Sequence, residues 1–249
     1  QVDTSELKSD PGHVSTSHRD FVFNLRASYA QETESLVDNL VAGGRRRIAV
    51  FYQIDAYGRS GWDGIKKALA KHNLKIIQEA TYLRGTNFSQ SLKEQAAVLK
   101  EARSDAIISI GAYAACAAFI RDARDIQLMV PIANVSFVGS ESMLRLLLEL
   151  NSATGRDYTR YLINSQVVPS YTDTSLLAVR EYLALMEKYN PSPPPEFKDP
   201  TYIPLKQSFV SFEGFLNAKL IIKVLEKMGR RSETGLILEL QDKKIRDIL

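Results

Sequence analysis

Cysteine is almost absent: Cys116 is the only one in 249 residues. A single thiol excludes an internal disulfide and any multi-cysteine metal site. Its setting in a small, apolar, helical stretch favours a buried thiol over a nucleophile. Histidine is scarce as well. His13, His18 and His72 have no metal-ligand spacing, and none has a plausible serine or cysteine partner. No run of about 18 or more apolar residues occurs, so no membrane-spanning helix is expected. No basic-then-apolar leader opens the chain at Gln1, and the expectation is that any export signal has been removed. One-sided charge is missing too. The 32 Lys and Arg against 29 Asp and Glu leave a formal charge of +3. That balance is too mild and too evenly spread for nucleic acid, which demands a basic face interleaved with aromatics. The densest cluster, Arg45-Arg46-Arg47, reads as a solvated turn feeding a strand.

Chemical signatures are equally thin. Asp55-Ala-Tyr-Gly58, after the first strand, lacks both GxGxxG and GxxxxGK[ST]. No GxSxG elbow and no HExxH pair is present. Carboxylates are scattered over helix surfaces, as solvated charge usually is. We therefore expect a protein that is not an enzyme, with no catalytic residue, no metal and no cofactor.

What the chain does have is rhythm. Its hydrophobic share of 45% and charged share of 24% are those of an ordinary soluble protein. Arg47-Ile-Ala-Val-Phe-Tyr52 is a nearly continuous apolar run, as in a strand covered on both faces. Helical spacing follows at Trp62, Ile65, Ala68 and Leu69. A second strand runs from Leu74 to Tyr82, and Thr86 or Asn87 is positioned to cap the helix of Leu92, Gln95, Ala96 and Leu99. Ala106–Ile110 is the third strand, Gly111-Ala-Tyr113 a turn, and Ala114–Arg124 the next helix. Asn134–Val138 reads as the fourth strand and Glu141–Leu150 as its helix, with a fifth strand at Tyr161–Val168. Strand alternating with helix predicts an α/β fold, a parallel sheet with helices on both faces. Beyond Pro169 the pattern becomes helical, at Ser175–Tyr189, Phe209–Met228 and Glu233–Leu240. Pro191-Ser-Pro-Pro-Pro195 reads as a surface loop between them.

In open parallel sheets ligands bind outside the carboxyl ends of the strands. Tyr57, Tyr113 and Glu141 fall at such ends. Two phenols and a carboxylate around one cleft suit a small ligand carrying an ammonium. The alternative is that the tyrosines pack locally and that Glu141 only favours a helix N-terminus.

Taken in order, several short motifs resemble one family. They are Phe21-Val-Phe-Asn-Leu-Arg26, the Ile48-Ala-Val-Phe-Tyr strand, Asp55-Ala-Tyr-Gly58, Gly85-Thr-Asn-Phe-Ser89, Val138-Gly-Ser-Glu141, Gln166-Val-Val-Pro169 and Ser211-Phe-Glu-Gly214. Together they resemble the periplasmic leucine/isoleucine/valine-binding proteins, type I periplasmic solute-binding proteins that serve ABC transporters. The resemblance implies two Rossmann-like lobes closing on a ligand between them. It implies a second-lobe domain over 21–168, after a polar segment 1–20, and a helix-rich portion 169–249 that belongs to a first lobe otherwise largely missing. Tyr57 and Tyr113 then match cleft tyrosines, and Glu141 the acceptor of the ligand's α-ammonium. Ala112 joins them, as does Arg26, for which a surface or helix-capping role is the alternative.

The implied function is extracytoplasmic, periplasmic capture of an amino acid or related small acid or amide for a membrane permease. Two alternatives share the fold: the ligand-sensing module of a histidine-kinase type receptor, and a cytoplasmic amidase-operon regulator. Helices left without a sheet to cover are expected to promote self-association.

Overall fold

The computed structural model describes residues 24–189 and 205–228. These divide into two compact units, Ala27–Val167 and the segments flanking it. The larger unit runs α1 (Tyr29–Ala42), β1 (Ile48–Gln53), α2 (Ala56–Lys71), β2 (Glu79–Tyr82), α3 (Lys93–Glu101), β3 (Ala106–Ile110), α4 (Tyr113–Asp125), β4 (Ile132–Asn134), a 3-10 turn at Ser136–Val138, α5 (Ser140–Thr154) and β5 (Leu162–Asn164). The five strands form one parallel sheet in the order β2-β1-β3-β4-β5.

Successive strand side chains point to opposite faces, yet every residue of β1 and β3 is buried. Both faces of the central sheet are therefore covered, which is why these strands are nearly continuous apolar runs, broken only by Gln53 and Ser109. On one face the rings of Phe119 and Phe51 stack with centroids 4.0 Å apart. Helix α2 approaches α1 closely because Gly64 has no side chain; a Cβ there would lie 2.4 Å from Thr33 Oγ1. At the amino edge, Asp105 accepts the backbone N–H groups of Arg46 and Arg47, each at 2.9 Å. The guanidinium groups of the same arginines donate to the terminal carbonyls of α1 and α3, at Val41 and Ala102. Two of the three arginines, Arg46 and Arg47, thus serve helix ends.

Several boundaries differ from expectation. The second strand is only Glu79–Tyr82, although Ile77 N–H still donates to Ile48 O at 3.1 Å. Thr86 and Asn87 do not cap α3. Thr86 Oγ1 donates to Leu83 O and Asn87 Oδ1 accepts from Ser89, an exposed turn. The helix begins at Lys93, and its N-cap is Leu92, whose N–H is accepted by Asp122 of α4 at 2.5 Å. The fourth strand is Ile132–Asn134 rather than Asn134–Val138. From Ser136 the chain leaves the sheet, drawn to a carboxylate on α1 described below. The fifth strand shortens to Leu162–Asn164.

In the flanking unit, α6 (Leu177–Tyr189) packs on α7 (Phe209–Met228). Phe212, Val179 and Tyr182 are buried together, with Phe215 and Leu216 against them. Phe212, Phe215 and Leu216 of α7, a helix expected to lack a cover, are thus covered by α6. Ile221, Ile222, Leu225 and Val210 remain half or more exposed. The polar segment 1–20, the proline-rich loop and the helix expected at Glu233–Leu240 lie outside the described residues.

Candidate ligand-binding site

The strand order decides where a ligand can sit. From β1 the chain crosses to β2 on one side, and from β3 to β4 on the other. The crevice between β1 and β3 is thus the switch point of the sheet, the place where crossovers diverge and open α/β folds bind ligands. Tyr57 lies in the first turn of α2, directly after β1. Tyr113 opens α4 after β3, and Glu141 is the second residue of α5 after β4. In a parallel sheet these are all one edge, so the three residues singled out from sequence share the carboxyl edge of the sheet.

They are not equivalent there. Tyr57 is half-buried, and its hydroxyl donates to Gly111 O at 3.2 Å, across the switch point. Its ring centroid is 5.2 Å from that of Tyr29 and 5.2 Å from that of Phe137. Burial pushes its phenol far above the usual range, so the hydroxyl stays neutral and donates. Tyr113 is 45% exposed, and its hydroxyl has no hydrogen bond among the described residues. A Cβ added to Gly139 would lie 3.8 Å from Tyr113 Cβ, which puts this tyrosine beside the start of α5. Glu141 is half-buried in the first turn of that helix, where the dipole favours a carboxylate. The open depression lined by Glu141, Leu144, Arg145, Leu148, Glu149 and Ser152 follows one flank of α5 and shares only Glu141 with this site.

Ala112 is exposed, but its N–H is already engaged by Tyr82 Oη at 2.8 Å. Tyr82 in turn donates to Gln53 Oε1 at 3.1 Å, and Gln53 Nε2 donates to Asp55, the cap of α2. This chain of bonds joins the ends of β1, β2 and β3 and holds the turn that presents Tyr113. Burial raises the Tyr82 phenol well above its ordinary range and keeps it protonated. Arg26 belongs to the flanking unit, where its guanidinium pairs with Glu213 at 2.5 Å.

Sequence reasoning missed Tyr82, Gln53, Tyr29 and Phe137. The first two carry the signal used for Tyr57, a polar or aromatic group at a strand's carboxyl end. Tyr29 gives no such signal, because α1 precedes every described strand. Among the described residues there is no cluster of His, Cys, Asp and Glu able to hold a metal. No helix among them is long and apolar enough to cross a membrane.

A doubly covered parallel sheet, with aromatic side chains at its switch point and a carboxylate after the next strand, makes this chain an open-sheet α/β protein. The family model described as "Periplasmic binding protein" matches residues 10–249, and the chain belongs to that family. A possible leucine/isoleucine/valine-binding protein from Rhodopirellula baltica SH 1 is 32% identical with a TM-score of 0.68, over 86% of this chain and 53% of its own. A substrate-binding periplasmic protein from Ralstonia solanacearum is 25% identical with a TM-score of 0.69, over 89% and 57%. A leucine binding protein from Thermotoga maritima MSB8 shares the fold at 14% identity and a TM-score of 0.62, over 84% and 53%. No curated protein matches the chain. The fold is thus the type I periplasmic-binding fold, and this chain spans about half the length of the structures it matches.

Proposed function

We propose that this chain forms one side of a small-molecule site in an extracytoplasmic, periplasmic solute-binding protein that delivers its ligand to an ABC transporter permease without a chemical step. The observation that carries the reading is the placement of Tyr57 and Tyr113 at the switch point of the sheet, with Glu141 on the same carboxyl edge after the neighbouring β4. In this reading Glu141 receives an ammonium, exposed Tyr113 supplies a wall and a hydrogen bond, and Tyr57 with Ala112 supplies the floor. The ligand is an amino acid or a related small acid or amide, a choice supported by the branched-chain naming of the 32% identical relative. Arg26, paired with Glu213, has a structural role in this proposal.

The test is a thermal-shift screen of amino acids, followed by calorimetry on Glu141→Ala. That substitution should weaken amino acid binding by about 2–5 kcal/mol, because it leaves a desolvated ammonium without its partner. Equal affinity in parent and variant would remove the ammonium from the proposal.

A further inference from the structure

We propose that Glu32 is a positioning residue for this site, a buried carboxylate that fixes the turn carrying Phe137 and leading into Glu141. Its functional meaning rests on the reading of the sheet's carboxyl edge as a ligand site.

Glu32 lies on α1 and is only 5% exposed. Its hydrogen bonds come from two serines on two different loops. Oε1 accepts the backbone N–H of Ser136 and, at 2.6 Å, the hydroxyl of Ser165. Oε2 accepts the hydroxyl of Ser136 at 3.0 Å. Ser136 opens the 3-10 turn after β4, and Ser165 follows the last residue of β5. One side chain therefore ties α1 to the ends of two neighbouring strands.

A buried carboxylate without an ion pair is tolerated only when its lone pairs are filled, and here neutral donors fill them. The same helix touches the same turn a second time. Tyr29, one helical turn earlier, has its ring centroid 6.4 Å from that of Phe137 and 5.2 Å from that of Tyr57. Helix α1 thus holds the turn by its backbone through Glu32 and by its exposed ring through Tyr29. The turn leads through Gly139, beside Tyr113, into the first turn of α5 with Glu141. A core residue needed only for packing would be apolar at this position. A carboxylate instead sets the path of a backbone segment by charge-assisted bonds of defined direction.

The test is amide hydrogen exchange on the full 249-residue chain, parent against Glu32→Gln. Ser165→Ala is the milder variant and carries the test if Glu32→Gln does not fold. Amides of residues 136–141 should exchange about tenfold faster in Glu32→Gln, and less so in Ser165→Ala, while β1 and β3 keep their protection. Unchanged exchange over 136–141, or equal loosening throughout the sheet, would overturn the proposal. L-leucine titration of the same proteins adds the functional arm. If the parent binds L-leucine, affinity should fall about fivefold or more in Glu32→Gln. Equal affinity with a loosened turn would overturn the positioning role. If the parent takes up no L-leucine while 136–141 loosens as expected, the anchoring of the turn stands and the amino acid reading falls.

Discussion

Tyr82 and Gly111 meet where no further atom fits. A Cβ on Gly111 would lie 2.2 Å from Tyr82 Oη and 2.9 Å from Cys116 Sγ. The tyrosine that accepts the Ala112 N–H therefore also requires the residue before Ala112 to be glycine. Gly111→Ala should displace the β3–α4 turn and destabilise the protein by about 1–3 kcal/mol. Tyr82→Phe removes the closest contact but leaves Ala112 N–H and Gln53 Oε1 without this partner, at a cost of about 1–3 kcal/mol. The two effects share one contact and should not add in the double variant. Urea unfolding of the four proteins checks all three statements.

Tyr57 and Tyr113 should separate stability from binding. Tyr113 is exposed, so Tyr113→Ala should change stability by no more than ~0.5 kcal/mol. Tyr57 packs against Tyr29 and Phe137 and bonds to Gly111 O, so Tyr57→Ala should cost about 3 kcal/mol. Thermal unfolding reads these differences. Amino acid titration should then show weaker binding in Tyr113→Ala despite its intact fold, and equal binding would remove Tyr113 from the site.

Cys116 is fully buried, and desolvation pushes its thiol up to about 12 against the hydrogen bond from Ser109 Oγ, which lowers it. Iodoacetamide at pH 8 should leave the native protein unlabelled and modify it in urea. The unfolded thiol titrates near 9.0, so above that pH the unfolded chain has lost a proton that the native state still holds. This group's contribution to stability therefore falls as pH rises from about 9 towards 12. The difference in urea midpoint between the parent and Cys116→Ala should show that trend. A difference independent of pH across this window would contradict it.

Helices α6 and α7 bury one apolar face against each other and present others outward. Ile221 is 59% exposed and Leu177 61%. Val210, Ile222, Leu225 and Leu185 are exposed as well, and outward apolar side chains of this kind favour burial against another copy. The chain as it stands should sediment above its 27.9 kDa monomer mass in a concentration-dependent way. Ile221→Lys combined with Leu225→Glu should shift it towards monomer. A parent that stays monomeric at high concentration would show these faces to be tolerated.

The sheet was legible in the sequence wherever local chemistry left no choice. A strand covered on both faces is apolar at most positions, so the strands at 48–53 and 106–110 stand out as nearly continuous apolar runs between turns. The helices that follow begin directly after them, which placed Tyr57 and Tyr113 at strand ends before any tertiary contact was known. Only the tertiary structure decided the rest. Strand order cannot be read from local pattern when every described strand is parallel, yet the order β2-β1-β3-β4-β5 makes the gap beneath Tyr57 and Tyr113 the switch point. The end of the fourth strand was misplaced because Val135 and Val138 are as buried as strand residues. What lifts Ser136 out of the sheet is a carboxylate more than a hundred residues earlier in the chain. Glu32 itself reads as one more charge on a helix, since periodicity reports which face is apolar and not what a distant loop donates. Local pattern follows from the solvent each residue meets, so the sequence alone determined strands, helices and strand-end residues. The site's geometry follows from hydrogen bonds and ring contacts between residues far apart in the chain, and only folding brings those together.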